Sequence, residues 1–167
     1  TLEHDTDSGD NNSLIQLTSD YYALAYYGKG NNGYIKTFTI PTDGSSIAEK
    51  HNLLFDSGNG THNSLTKIDS DTYALAYAGE TNKGYIKAFT ISSDGSSIGG
   101  GNALLLHDDI KALYNSLVKV DDDTYALAYA GSDNDGYITT FTISADGNTI
   151  TKVATLEHDT NAGNYNS

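Results

Sequence analysis

Three His-Asp pairs are the residues of this chain best equipped for chemistry: His4-Asp5, His107-Asp108 and His158-Asp159. A histidine beside a carboxylate can serve as a general base or bind a metal. Adjacent residues of an extended strand point to opposite faces, however, so sequence neighbours need not cooperate. Phe55-Asp56 occupies the same place in the pattern, and phenylalanine carries no proton chemistry. The histidines therefore read as packing residues. His51 and His62 are single occurrences with less support.

The carboxylates invite a second test. "DSDTY" from Asp69, "DDDTY" from Asp121 and "DNDGY" from Asp133 cluster the hard oxygen ligands that calcium takes. An EF-hand also needs a later Glu, and the run from Asp133 meets Thr and Ile instead. Glu occurs only at positions 3, 49, 80 and 157. Asp-rich turns account for the spacing, so no metal and no cofactor is expected. There is no GxSxG, HExxH or Walker loop. A carboxylate pair for glycoside hydrolysis could be assembled from distant loops, but nothing selects one. No catalytic residue is assigned.

Composition narrows the partners. The chain has no Cys, and all nine cations are Lys, against 22 acidic residues and a net charge of −13. Disulfides and thiolate metal sites are excluded. Without Arg and with this charge, neither nucleic acid nor an anionic membrane is an expected partner. No run approaches the ~20 apolar residues of a spanning helix, so no membrane insertion is expected.

The elements that must carry these residues repeat. "NSL" begins at Asn12, Asn63 and Asn115, and "NS" closes the chain at Asn166, at intervals of 51, 52 and 51 residues. "YALAY" recurs from Tyr22, Tyr73 and Tyr125, and "GYI" with "FTI" recurs from Gly33, Gly84 and Gly136. Each repeat holds four short segments rich in Tyr, Ile, Phe and Thr, with period-two alternation and Asp/Gly turns between them. "SDG" before "SSI" is a tight-turn signal. The fourth segment of the second repeat is weakened by Gly99, Gly100 and Gly101. Four antiparallel strands every ~50 residues fit the blades of an all-β propeller, about three per chain. In "YALAY" the alanines face one way and the tyrosines and leucine the other. A sheet sandwiched between two others needs such a small face and a bulky face to interdigitate.

The phrase "TYALAYAG…DGYI…TFTIS.DG.TI" resembles that of tandem-repeat β-propeller proteins predicted from marine microbes, over essentially the whole chain. That resemblance implies a propeller but no established activity. "SADGNTI" from Ser144 is similar to the Asp-box turn of sialidase-like propellers, with Ile150 at the aromatic place; "SSDGSSI" from Ser92 and "PTDGSSI" from Pro41 fit less well. In that family the box is a structural turn between third and fourth strands. The sialidase site relies on arginines, which this chain lacks, so its activity is not implied.

The chain reads as a single repeat domain, 1–167: an extra outer-strand segment over 1–11 and blades over 12–62, 63–114 and 115–160. Propellers close with ~4–8 blades. A homodimer closing a six-bladed ring is therefore expected; the rival is further blades of a longer parent chain. "TLEHDT" stands at both Thr1 and Thr155, giving four fourth-strand segments for three blades. The first copy either clasps a partner's blade or frays. The loops most open to a ligand carry Asn31, Asn32, Asn82, Lys83, Asn134 and Asp135, with Tyr114 and Tyr165 as exposed aromatics. The expected function is a non-enzymatic scaffold or binding module for glycan or protein, extracellular or at a microbial surface. A purely structural scaffold is the alternative, and a glycoside-processing enzyme the third reading.

Overall fold

A computed structural model describes residues 1–164, with backbone alone at 101 and 102. Twelve strands form three four-stranded antiparallel sheets among the described residues. Blade 1 is β1 (Asp10–Thr18), β2 (Tyr21–Gly28), β3 (Asn32–Thr39) and β4 (Ala48–Asp56). Blade 2 is β5 (Thr61–Lys67), β6 (Thr72–Ala78), β7 (Gly84–Ile91) and β8 (Ile98–Asp108). Blade 3 is β9 (Leu113–Lys119), β10 (Thr124–Ala130), β11 (Gly136–Ile143) and β12 (Ile150–Asp159). Each blade pairs its strands in chain order. The three glycines of β8 do not end the strand: β7 pairs with it from Ile91↔Ile98 to Gly84↔Asp108, with register shifts between Lys87 and Phe89 and between Gly84 and Tyr85. No helix of the described residues is long and apolar enough to cross a membrane.

The first strands lie side by side and the outer strands fan apart. The repeated "NSL" phrase explains that convergence. Ser13 Oγ accepts the Leu65 N–H at 2.9 Å, and Ser64 Oγ accepts the Leu117 N–H at 2.9 Å. Asn63 Nδ2 donates to Asn11 O at 3.1 Å, and Asn115 Nδ2 donates to His62 O at 3.0 Å. Asn11, His62 and Tyr114 all have φ near +55° (55°, 53° and 55°). Each marks a bulge at which the ladder shifts register. The bulge turns a carbonyl away from its own ladder and toward the next blade.

Hydrophobic burial follows the alternation. Ala23, Ala25 and Ile35 on one face of blade 1 pack against Tyr73, Leu75, Tyr77 and Phe89 of blade 2. Ala74, Ala76, Ile86 and Ala88 of blade 2 pack against Tyr125, Leu127, Tyr129 and Phe141 of blade 3. Blade 2 thus offers its bulky face to blade 1 and its flat small face to blade 3. Ala76 has no exposed surface. Ala76→Leu forces extra methylene groups into that close approach, and a loss of about 1–3 kcal/mol in urea unfolding is expected.

The third-to-fourth turns are built on Asp and Gly. Gly44, Gly95 and Gly147 have φ of 65°, 66° and 67°, the left-handed region open to a residue without Cβ. The preceding carboxylates accept the N–H of Ser45, Ser96 and Asn148 at 3.0 Å each. Hydrogen bonds from Ser96 and Ser92 hold Asp94 down at about 2, and those from Ser144 and Asn148 do the same for Asp146.

Residues 1–9 add no strand to the blades of their own chain: none precedes Asp10. The reason is topological. The free side of β3 is already taken by β4, so blade 1 leaves no inner ladder for a further segment. Residues 1–9 instead fold across the bulky face of blade 1, where His4 meets the Tyr26 ring edge-on at 4.8 Å.

Candidate functional site

The His-Asp positions form one candidate site, whose geometry recurs from blade to blade. Each Asp begins the same turn, which in the three blades follows the fourth strand. Asp56 Oδ1 accepts the N–H of Gly58 and Asn59 at 2.8 and 3.2 Å; Asp108 Oδ1 accepts those of Ile110 and Lys111 at 2.9 and 3.0 Å. Asp159 and Asp5 do likewise with Asn161 and Ala162, and with Asp7 and Ser8. The second oxygen reaches the next blade: Tyr129 Oη donates to Asp108 Oδ2 at 3.1 Å, and Tyr77 and Tyr26 bond Asp56 and Asp5. Burial would raise the Asp5 carboxyl, but the backbone N–H groups of Asp7, Ser8 and Lys29 outweigh it and hold it below its ordinary value. These carboxylates are acceptors in turns and clasps.

The residue before each Asp is a wedge between blades. Phe55 lies 4.9 Å from the Tyr77 ring and 6.2 Å from Phe89. His107 takes the same seat at 5.1 Å from Tyr129 and 5.8 Å from Phe141. It is buried, and neither ring nitrogen has a hydrogen-bond partner. Burial drives its pKa down to about 4 against the weaker pull of Asp108, so it is a neutral aromatic at physiological pH. The sequence reading of these histidines as packing groups fits His107, whereas His158 is exposed. That reading missed the Tyr–Asp clasp, although a signal was present. Tyr26, Tyr77 and Tyr129 each follow their Asp by 21 residues.

The loops joining second and third strands form the other candidate. They are 3₁₀ turns over Lys29–Asn31, Glu80–Asn82 and Ser132–Asn134. Asn31, Asn82 and Asn134 have φ of 64°, 66° and 67°, a conformation Asn tolerates better than most side chains. Their backbones brace the fourth-to-first connections: Ala112 N donates to Asn82 O at 2.9 Å and Gly163 N to Asn134 O at 2.7 Å. Both loop sets therefore share one end of the blades.

Asn31, Asn82 and Asn134 are exposed there, and Asn32, Lys83 and Asp135 are half-buried beside them. Tyr27 donates to Asn31 Oδ1 and Lys111 to Asn134 Oδ1; Lys111 escaped the sequence reading because it lies in a connection with no repeated cation. Asn32 Nδ2 is 3.4 Å from Tyr34 Oη. Tyr114 stands apart from the loop apices, on the inner bulge of blade 3, with its ring 4.7 Å from His62. Tyr165 lies outside the described residues.

A cleft of about 300 Å³ opens between residues 3–6 and blade 1, lined among others by Glu3, His4, Asp5, Tyr26, Lys29 and Lys36. Lys36 Nζ is committed to His4 O at 2.7 Å and Glu49 Oε2 at 2.9 Å. Among the described residues no group of three or more His, Asp or Glu could hold a metal ion.

Three blade-like sheets with converging first strands define a β-propeller-type fold of about three blades. No protein-family model matches the chain, and no curated protein matches it in sequence. Solved structures do match. The chain is similar to the exo-β-1,3-galactanase of Phanerochaete chrysosporium, with a TM-score of 0.61, 13% identity, and coverage of 91% of this chain and 36% of that one. It is similar to the NanB sialidase of Streptococcus pneumoniae, with a TM-score of 0.59, 14% identity, and coverage of 87% and 23%. It is also similar to Chaetomium thermophilum Sqt1 bound to the N-terminus of the ribosomal protein L10, with a TM-score of 0.56, 16% identity, and coverage of 95% and 40%. The chain thus spans 23–40% of the length of these three structures. At such identities the likeness is one of fold.

Proposed function

We propose that the chain is a non-enzymatic β-propeller scaffold or binding module that takes a glycan or protein segment on the loop end of its blades. The observation that carries this reading is the threefold presentation of amide side chains by Asn31, Asn82 and Asn134, all in the same left-handed conformation. Repetition of one polar apex suits several weak contacts made together. Catalysis asks instead for unlike groups converging on one atom. Here the His-Asp positions are absorbed by turns and wedges between blades. The peptide held by Sqt1 supports a protein ligand, and the galactanase and sialidase likeness supports no more than the scaffold. The ring that would present these loops needs more blades, from a second copy or from further blades of a longer chain.

The test is binding of the chain to a glycan array and a peptide panel. Signal on one of them is expected. Asn82→Ala with Lys83→Ala should weaken it about tenfold or more while the far-ultraviolet circular dichroism stays unchanged, since tenfold is one lost polar contact of ~1.4 kcal/mol. No signal on either would leave the purely structural scaffold. That second reading is favoured by the bonds Tyr27 and Lys111 make to Asn31 and Asn134, which already occupy two of the three amides.

A further inference from the structure

Independently of what the loops bind, the two ends of the three-blade stack are complementary to each other. Within the chain each small face meets a bulky face. The faces left over are the bulky one of blade 1, with Leu14, Tyr22, Leu24, Tyr26 and Phe38, and the small one of blade 3, with Ala126, Ala128 and Ile138. Exposure shows what is missing. Leu14 is 60% exposed, whereas its repeats Leu65 and Leu117 are 8% and 4% exposed against the preceding blade. Val120 is 61% exposed, whereas its repeats Leu17 and Ile68 are 5% and 4% exposed against the following one.

Polar groups extend the match. Ser13 and Ser64 each accept the N–H of the leucine one repeat ahead. By the same register Ser116 Oγ would accept the Leu14 N–H of another copy. At the outer end, Phe55 and His107 seat against the Tyr and Phe of the following blade, and Asp56 and Asp108 clasp its tyrosine. His158 and Asp159 occupy that position in blade 3 and remain exposed.

The seat they would fill, on Tyr26, is held by His4 and Asp5 of the chain's own first residues. Lys36 grips His4 O at 2.7 Å as Lys87 grips Phe55 O at 3.0 Å. Residues 1–6 and 155–160 are the same hexapeptide, so either can make these contacts. They are held differently. Residues 155–159 are laddered to β11 from Thr139↔Thr155 to Gly136↔Asp159, whereas residues 1–9 pair with no strand. The unladdered copy is the one that gives way.

We infer that a second copy of this chain docks head to tail on blade 1, its blade 3 displacing residues 1–8, so that two copies close one six-bladed ring. A ring of two satisfies both leftover faces of each copy, and six blades lie within the ~4–8 of closed propellers, whereas three copies would exceed it.

The test is the mass of the full chain in solution by sedimentation equilibrium. Salt of about 0.15 M is needed to screen the repulsion between two acidic copies. A dimer is expected. Leu14→Lys and Ile138→Lys each change a side chain that is exposed in the single chain, at 60% and 40%, so the fold should persist while the dimer is lost. Mixing these two variants should restore a dimer through the one intact pair of faces, which a self-complementary two-fold contact could not do. His4→Ala with Asp5→Ala should tighten the wild-type dimer about tenfold or more by weakening its internal competitor, one seat contact at ~1.4 kcal/mol. A monomer at all concentrations, the result expected if only a longer chain supplies the missing blades, overturns the proposal. So does a dimer that the mixture fails to restore, or one that the His4 and Asp5 changes weaken.

Discussion

Tyr129→Ala lowers the stability of the chain by about 3–5 kcal/mol, the cost of emptying a fully packed aromatic site. Tyr129 is 1% exposed and joins two blades rather than one. Its ring lies 5.1 Å from His107 of blade 2 and stacks on Tyr137 of its own blade at 5.6 Å. Its hydroxyl donates to Asp108, whose other oxygen holds the turn leading into β9. Tyr129→Phe keeps the ring and removes only that donor. Asp108 is half-buried, so water can reach it, and a loss of about 1 kcal/mol is expected. Urea unfolding of both variants at one fixed protein concentration separates the packing contribution from the clasp. Equal losses would mean that the hydroxyl, not the ring, joins the blades.

Acidification acts through His107. Its pKa in the folded chain is about 4, against an ordinary 6.5, because burial between blades 2 and 3 penalises the imidazolium. The unfolded chain therefore binds the proton first as pH falls. Stability is intact above pH ~6.5, declines between there and about 4, and is lost no further to this group below that, where both states are protonated. The difference in pKa corresponds to about 3 kcal/mol over this window. His62, whose pKa burial also lowers, adds to the slope in the same direction. His107→Phe, which copies what blade 1 already does with Phe55, should flatten most of this decline while leaving the fold in place. Unfolding free energies at a series of pH values from 7 to 4 would show it. A variant that loses stability with pH as steeply as the wild type would place the titration elsewhere.

Much of this was legible without coordinates. The intervals between the Asn-Ser-Leu phrases gave the number of blades. The alanine–leucine–alanine pattern gave the two unlike faces, because period two in a strand leaves no other arrangement for Ala74 and Ala76 opposite Tyr73 and Leu75. The Phe at position 55 already marked the histidine seat as one for packing. Other features were not legible. The left-handed bulges at Asn11, His62 and Tyr114 share no residue type that announces positive φ. Tyr114 consequently looked like an exposed aromatic, yet it belongs to the inner edge between blades. The two bonded amides at Asn31 and Asn134 take partners, Tyr27 and Lys111, whose positions depend on how the loops curl.

Sequence by itself determined where the strands and the Asp-Gly turns of this protein fall, since alternation and turn residues act over a few neighbours along the chain. It also determined that each sheet must be buried on both sides. Tertiary structure alone decided which identical hexapeptide lies where. Residues 155–159 pair with β11, whereas in blade 1 the equivalent edge of β3 is taken by β4 and residues 1–6 settled on the blade's face. Two equal segments therefore have unequal fates, because hydrogen-bonding edges and apolar faces are properties of the assembled sheets.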